Sequence, residues 1–359
     1  MALAVQIEKK LAEFTLDVSL TAGEEPLSIL GPSGAGKTML LRCIAGLEKP
    51  DRGRVALKDH VFYDSEKGIR VAARERRIGM LFQHYALFPH KTVAENIAFG
   101  LPQLPPAEQT ARISGFIERM HLSGLEGRYP RDLSGGEQQR AALARAMAIE
   151  PEAMLLDEPL SALDTHLRSQ MEAQLQETFA AFRRPAILVT HNIEEAYRMS
   201  KDLLVLSRGR VAAFGPKAEI LRRPPTMEVA RLTGCKNFSR ARAIGTNEVE
   251  ALDWGIRLRV AQTIEKPPAF VGIRAHMIEF PESAGGANAS ENIFPCRAVR
   301  SSETPFRITL YLRLQQKADD SDAPHMQAEV FKEKWERFRE RPFPWNVRLA
   351  PEAVMLLPE

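Results

Sequence analysis

Residues Gly31-Pro32-Ser33-Gly34-Ala35-Gly36-Lys37-Thr38 fit the spacing G-x-x-x-x-G-K-[ST], and no other stretch of the chain constrains its fold so strongly. The glycines let successive backbone N–H groups wrap phosphate oxygens, the lysine reaches the outer phosphates, and the threonine hydroxyl suits Mg2+. Such a loop needs a buried strand before it and a helix N-terminus after it, so that aligned N–H groups face the anion. Leu27-Ser28-Ile29-Leu30 reads as that strand, and Met39 to Ala45 has the apolar periodicity of that helix. Taken alone, the loop admits any nucleotide-binding protein, kinases and GTPases included.

A second phosphate contact is legible well downstream, in Leu133-Ser134-Gly135-Gly136-Glu137-Gln138-Gln139-Arg140. The Ser134 hydroxyl and the unobstructed N–H groups of Gly135 and Gly136 open a helix and offer another anion site. One chain cannot easily bring both stretches to the same nucleotide. Ala153-Met154-Leu155-Leu156-Asp157-Glu158-Pro159 is an apolar run ending in two carboxylates, and a buried strand ends in acids where a cation or a reaction needs them. Asp157 would hold Mg2+ through its water shell. Glu158 would orient and polarise an attacking water, because phosphoryl transfer depends on positioning and charge neutralisation. Pro185 to His191 is a further buried strand ending in a single histidine, and Gln83 follows the apolar run Ile78 to Phe82.

The chain has 359 residues, enough for two domains, and its 44% hydrophobic and 26% charged content is that of an ordinary folded protein. A net charge of +3 supplies no argument for a nucleic-acid partner, and the basic run Arg74-Glu75-Arg76-Arg77 reads as a solvated face. Cys43, Cys235 and Cys296 are scattered, without zinc spacing, which points to a reducing compartment and no structural metal. The amino terminus carries acid and base where a signal peptide would be apolar, and no run approaches the roughly 20 apolar residues of a membrane span. Any membrane role is therefore expected to come through a partner.

The order of these motifs resembles that of the ATP-binding cassette (ABC) proteins. The resemblance implies that Ser134, Gly135 and Gly136 close over ATP held by a partner subunit's phosphate loop. It further implies that Gln83 is a Q-loop residue touching Mg2+ or the attacking water and coupling to a membrane partner. Ser161-Ala162-Leu163-Asp164 resembles the D-loop, with Asp164 crossing a dimer interface, and His191 falls where the family places a histidine bonded to the γ-phosphate and the water-positioning carboxylate. Many members stack adenine on an aromatic residue upstream of the phosphate loop; in Lys10-Leu11-Ala12-Glu13-Phe14 that contact is Leu11 or Phe14, depending on register.

The fold implied is an α/β P-loop domain with a helical signature subdomain over residues 1–233, followed by a β-rich, OB-like accessory domain over 234–359. Strands are expected in Gly255 to Val260, Ala269 to Arg274 and Phe306 to Leu314, a short helix around Phe331 to Arg339, and connecting loops at Ser283 to Ser290 and Lys317 to Pro324. Asp64 to Ile69, Gln83 to Pro89, Gly234 to Asn237 and Val271 to His276 look like the molybdate importer ATPases, within the group that also serves sulfate, tungstate, iron(III), polyamines and sugars. Relatives carry an oxyanion-binding turn in the tail. Its nearest counterpart here, Ser290-Glu291-Asn292, includes an acid unfavourable to an anion, so a structural or dimer-contacting role stands for the tail at least equally beside oxyanion binding.

The expectation is an ATP-hydrolysing homodimer using Mg2+ at the cytoplasmic face of the membrane. It would drive permease subunits fed by a periplasmic or extracellular binding protein, with molybdate as cargo. Another cargo of the group is the alternative. A non-transport ABC ATPase would show a coiled-coil insertion, zinc cysteines or a second cassette; a regulatory nucleotide switch would lack the acid at 158 or the imidazole at 191.

Overall fold

Hydrophobic patterning separates the strands of the amino-terminal part into two kinds. β1 (Leu3–Lys10) and β2 (Thr15–Ala22) alternate, burying Leu3, Val5, Ile7, Leu16, Val18 and Leu20, as half-buried antiparallel strands do. β3 (Leu27–Leu30) is buried at every position. The antiparallel layer continues through β4 (Arg52–Leu57), β5 (His60–Asp64) and β6 (Ile69–Arg70). A parallel layer is formed by β3 with β7 (Ile78–Leu81), β8 (Ala153–Asp157), β9 (Ala186–Thr190) and β10 (Asp202–Ser207); β8 and β9, like β3, are buried throughout. β11 (Arg210–Pro216) closes an 11-stranded sheet ordered β6-β5-β4-β1-β2-β11-β10-β3-β9-β8-β7.

This is a computed structural model describing residues 1–161, 163–281, 292–314 and 323–358. It divides into two compact units, Met1–Lys217 and Ala218–Glu359. In the first, α1 (Lys37–Ala45) follows β3 directly, while α2 (Val93–Ala98), α3 (Pro106–Arg119) and α4 (Gly135–Ala148) pack on one another as a helical cluster. α5 (Thr165–Phe182) and α6 (Ile193–Met199) follow β8 and β9.

Arg76 corrects the reading of its basic run as a solvated face. Its side chain is buried, donating to the carbonyls of Cys43 (3.1 Å), Ile44 (2.7 Å) and Val71 (3.0 Å). A helix leaves its last carbonyls without intrahelical partners. Arg76 supplies donors to the end of α1, whose chain then turns away through Gly46 in the left-handed region. Burial pushes its pKa below the ordinary arginine value.

α7 (Lys217–Arg222) begins at the boundary between the units, and α8 (Met227–Leu232) belongs to the second. Arg274 explains why the division precedes α8: its guanidinium donates to the carbonyls of Thr233 (2.5 Å) and Leu221 (2.7 Å), fixing this segment to the β-rich unit. That unit contains β12 (Asn237–Ala243), β13 (Glu248–Ala251), β14 (Ile256–Arg259), β15 (Phe270–Ile273), β16 (Ile278–Glu279), β17 (Ile293–Glu303), β18 (Arg307–Leu314), β19 (Met326–Phe331), α9 (Lys332–Phe338), β20 (Trp345–Leu349) and β21 (Met355–Leu357). Two antiparallel sheets, β14-β13-β12-β15-β21 and β16-β20-β17-β18-β19, share a core that includes Trp254, Phe294, Leu310, Leu312 and Val347. The three expected strands and the short helix are present. Asn292 is fully buried and spends its side chain on the backbone of Arg259 (2.8 Å to both N and O) and on the Leu349 carbonyl (2.9 Å). Ser290, Glu291, the 283–290 stretch and most of the 317–324 loop lie outside the described residues.

Replacing Arg76 with Met keeps bulk but leaves three carbonyls without their donor. Urea unfolding is expected to show a loss of roughly 3 kcal/mol in the transition of the first unit. A loss below about 0.5 kcal/mol would mean that water serves those carbonyls equally well.

Candidate nucleotide site

Parallel strands deliver their carboxyl ends to one edge of the sheet, and registration decides what meets there. Leu30 pairs with Thr190, Asp157 with Val189, and Leu81 with Leu156. The residues just beyond, the phosphate loop after β3, Gln83 after β7, Glu158 after β8 and His191 after β9, therefore emerge side by side.

The phosphate loop turns into α1 through Gly34 at φ 80° and Gly36 at φ 100°, conformations that a Cβ disfavours. Gly36 is the N-cap of α1, and the Phe14 ring packs beside it, 3.4 Å from where a Cβ would stand. Leu11 and Phe14 are both partly buried at the same β1–β2 turn, joined by a hydrogen bond from Leu11 N to Phe14 O (2.9 Å). Lys37 is buried and donates to the carbonyls of Gly31 (2.8 Å) and Pro32 (3.0 Å). Burial lowers its pKa, against the pull of Glu158 and then Asp157. The ammonium is thus aimed from the first turn of α1 into the loop's own concavity.

Glu158 is the meeting point. Its Oε2 lies 3.2 Å from His191 Nδ1 and 3.5 Å from Gln83 Nε2, and its Oε1 lies 3.7 Å from Lys37 Nζ. Backbone strain aims it: at φ 44° the chain turns sharply off β8, and the turn is pinned by Glu158 N to Val189 O (3.0 Å) and by the Ser161 hydroxyl to Glu158 O (2.9 Å). Asp157, the last residue of β8, is buried and accepts from Thr38 Oγ1 at 3.0 Å. Burial, more than anything opposing it, raises the Asp157 pKa. A hydroxyl and a carboxylate oxygen so close together beside a phosphate loop are the hard donors that Mg2+ takes, so the residues fit that ion.

Ser134, Gly135 and Gly136 stand elsewhere in the unit. Ser134 is the exposed N-cap of α4 in a capping box with Glu137: Ser134 N donates to Glu137 Oε2 at 2.7 Å and the Ser134 hydroxyl at 2.8 Å. The hydrogen bond from the Ser134 backbone holds the Glu137 carboxyl below its ordinary range. A Cβ on Gly135 or Gly136 would meet Leu163 (3.9 Å) or Leu167 (3.7 Å), so this turn abuts the Leu163–Asp164 segment, not the phosphate loop. Asp164 is exposed and caps α5 by accepting from Leu167 N (2.9 Å); Ala162 is outside the described residues.

One supporting group escaped the sequence reading. Glu195, buried in α6, accepts from the Thr190 hydroxyl (2.7 Å), whose oxygen in turn accepts from Asn192 N (3.0 Å), bracing the chain on both sides of His191. Asn192 caps α6, and its spacing to Glu195 is the legible signal of a capped helix start.

Comparisons with known proteins agree with this geometry. A family model described as "ABC transporter" matches residues 15–161. Among curated relatives, the chain is 42% identical over 248 residues to the sulfate/thiosulfate import ATP-binding protein CysA of Thermosynechococcus vestitus, covering 68% of this chain and 71% of that one. It is 40% identical over 280 residues to the protein of the same name from Mesorhizobium japonicum, covering 76% and 79%. Among solved structures, the dimeric ATP-binding cassette MJ0796 bound to ADP and Pi is similar with TM-score 0.52 and 29% identity, over 60% of this chain and 99% of that one. Clostridium perfringens cbiO1, part of the ABC transporter complex cbiONQ, gives TM-score 0.54 and 27% identity over 61% and 89%.

The burial at Asp157 has a testable sign. A carboxyl whose folded pKa lies above its unfolded value contributes stability below the unfolded pKa and loses it as pH rises through the folded one, so ionised Asp157 destabilises the fold at neutral pH. Asp157→Asn keeps an oxygen for the Thr38 hydroxyl and removes the charge. Without Mg2+ it is expected to raise the thermal midpoint by about 2 °C, while abolishing most of the further rise that Mg2+ with a non-hydrolysable ATP analogue gives the wild type. An undiminished rise in the variant would remove Asp157 from the metal site.

Proposed function

This chain belongs to the ABC transporter ATP-binding proteins, and on that premise we propose which of its residues carry hydrolysis and which cargo it serves. It is an importer ATPase that uses ATP and Mg2+. The observation that carries the assignment is the convergence of Lys37, Gln83 and His191 on the Glu158 carboxylate.

In this reading the N–H groups of Gly31, Ser33, Gly34, Ala35, Gly36 and Lys37 cradle the phosphates, Pro32 shapes the loop without donating, and the Lys37 ammonium neutralises the outer phosphates. Thr38 and Asp157, with Gln83 alongside, would hold Mg2+, which would supply charge neutralisation on the phosphate oxygens. Glu158 orients the attacking water and takes its proton as the water oxygen bonds to the γ-phosphorus and the bond from that phosphorus to the bridging oxygen breaks, so that ADP leaves with the electron pair and phosphate is released. His191 keeps that carboxylate in place and reaches the γ-phosphate, and Gln83 closes the polar ring around the water.

Ser134, Gly135, Gly136 and Asp164 act on the nucleotide of a second copy, which is why they face away from their own phosphate loop. The dimeric state of MJ0796 supports that arrangement. The homodimer would work at the cytoplasmic face of the membrane against permease subunits fed by an external binding protein. No helix among the described residues is long and apolar enough to cross a membrane.

The cargo we propose is sulfate or thiosulfate. The relatives reported above carry that cargo in their names, and this reading takes the place of the molybdate expectation. In a strain deleted for this chain, uptake of labelled sulfate is expected to fall while molybdate uptake persists; the reverse pattern would restore molybdate.

Glu158→Gln is expected to lower kcat by about 100- to 1,000-fold with ATP affinity retained, and to yield an ATP-stabilised dimer by size-exclusion chromatography. Steady-state hydrolysis near the wild-type rate would remove Glu158 from its role.

A further inference from the structure

We propose that Arg145 is a positioning residue for Gln83, acting through the backbone of the loop that follows it; the inference rests on the role given to Gln83 above. Three features of that loop are unfavourable on their own. Tyr85 and Ala86, neither a glycine, stand in succession in the left-handed region at φ 60° and 48°. L-residues avoid this region because Cβ crowds the following carbonyl. The Tyr85 side chain is buried with no hydrogen-bond partner for its hydroxyl, and burial raises its pKa.

A single guanidinium opposes these costs. From the last turn of α4, Arg145 Nη1 donates to the Ala86 carbonyl (2.7 Å) and Nη2 to the Tyr85 carbonyl (3.0 Å), and the group lies 5.4 Å from the centre of the Phe88 ring. The rigid fork of arginine suits two adjacent carbonyls, whereas a lysine ammonium would reach them as a point. Farther along, the fully buried Asn96 side chain holds Phe88 at both its N–H (2.9 Å) and its carbonyl (3.3 Å). Between these anchors and the end of β7 the path of the loop is fixed, and Gln83 stays within 3.5 Å of Glu158. An outlier conformation held by its surroundings beside a reacting group marks pre-organisation.

The test is steady-state ATP hydrolysis by the full chain. Arg145→Gln is expected to lower kcat roughly 10- to 100-fold, the cost of misplacing a catalytic group by about an ångström, with KM for ATP within about twofold of wild type. Adding Ala86→Gly should return about fivefold or more of the loss, because glycine enters the left-handed region without the Cβ clash. A merely structural arginine would not be rescued by an exposed glycine on the far side of its hydrogen bond. A kcat within about twofold of wild type in Arg145→Gln, or a double variant no faster than the single one, overturns the proposal. Should Arg145→Gln not fold, Arg145→Lys is read by the same criteria. A wild-type chain unable to hydrolyse ATP would instead overturn the functional reading, and this inference with it.

Discussion

The site depends on the parallel alignment of β3, β7, β8 and β9. Strands that run the same way in register end together, so a single edge receives a lysine-bearing loop, a glutamine, two acids and a histidine from segments far apart in sequence. The complete burial of β3, β8 and β9 fixes that alignment, with β7 half-buried at the edge of the sheet. β3, β8 and β9 are enclosed on both faces, and a slip of one strand would break the hydrogen-bond ladder and misplace the charged residue at its end.

The electrostatics follow from placing charge at the rim of an apolar slab. Lys37 and Asp157 both pay for desolvation, the first by a lowered pKa and the second by a raised one, and each is partly offset by the other's neighbourhood. Glu158 sits between them with one oxygen toward the ammonium and the other toward Gln83 and His191. Such a cluster is unsettled by itself and suited to a ligand that brings both strong negative charge and a divalent cation. The same burial that weakens the isolated protein at Asp157 would, on the proposed function, strengthen contacts to phosphate, because a lower dielectric screens them less.

Much of this was legible in the sequence, because the residues involved occupy short contiguous motifs at strand ends. The phosphate loop, Asp157-Glu158 and His191 each announce themselves by an apolar run that stops at a polar residue. What was not legible is what depends on distant partners. Arg76 looked like one of several surface charges, and only the end of α1, more than thirty positions earlier, gives it a use. Arg145 sits in a helix otherwise rich in buried alanine, with nothing local to say that its guanidinium closes on two carbonyls of the Tyr85–Ala86 turn. The attachment of α7 and α8 to the β-rich unit was likewise hidden, because Arg274, which holds the Leu221 and Thr233 carbonyls, lies far along the chain.

The signature turn teaches the complementary point. Ser134 is satisfied within its own chain by Glu137, and its glycines abut Leu163 and Leu167. Nothing about α4 as a helix requires two glycines at its start, since the capping box already serves the terminus and glycine weakens a helix by about 1 kcal/mol relative to alanine. Neither glycine is required by its surroundings, since a Cβ would meet its neighbours only at 3.7–3.9 Å, and the proposed role in nucleotide contact gives the pair a use. In one protomer Gly135 is exposed and Gly136 buried, and in the proposed reading the phosphate they meet arrives with a second copy. On the proposed function, a second phosphate loop carried by another copy and holding its triphosphate would be that ligand, which would tie the sequence of a single helix start to the association of two chains.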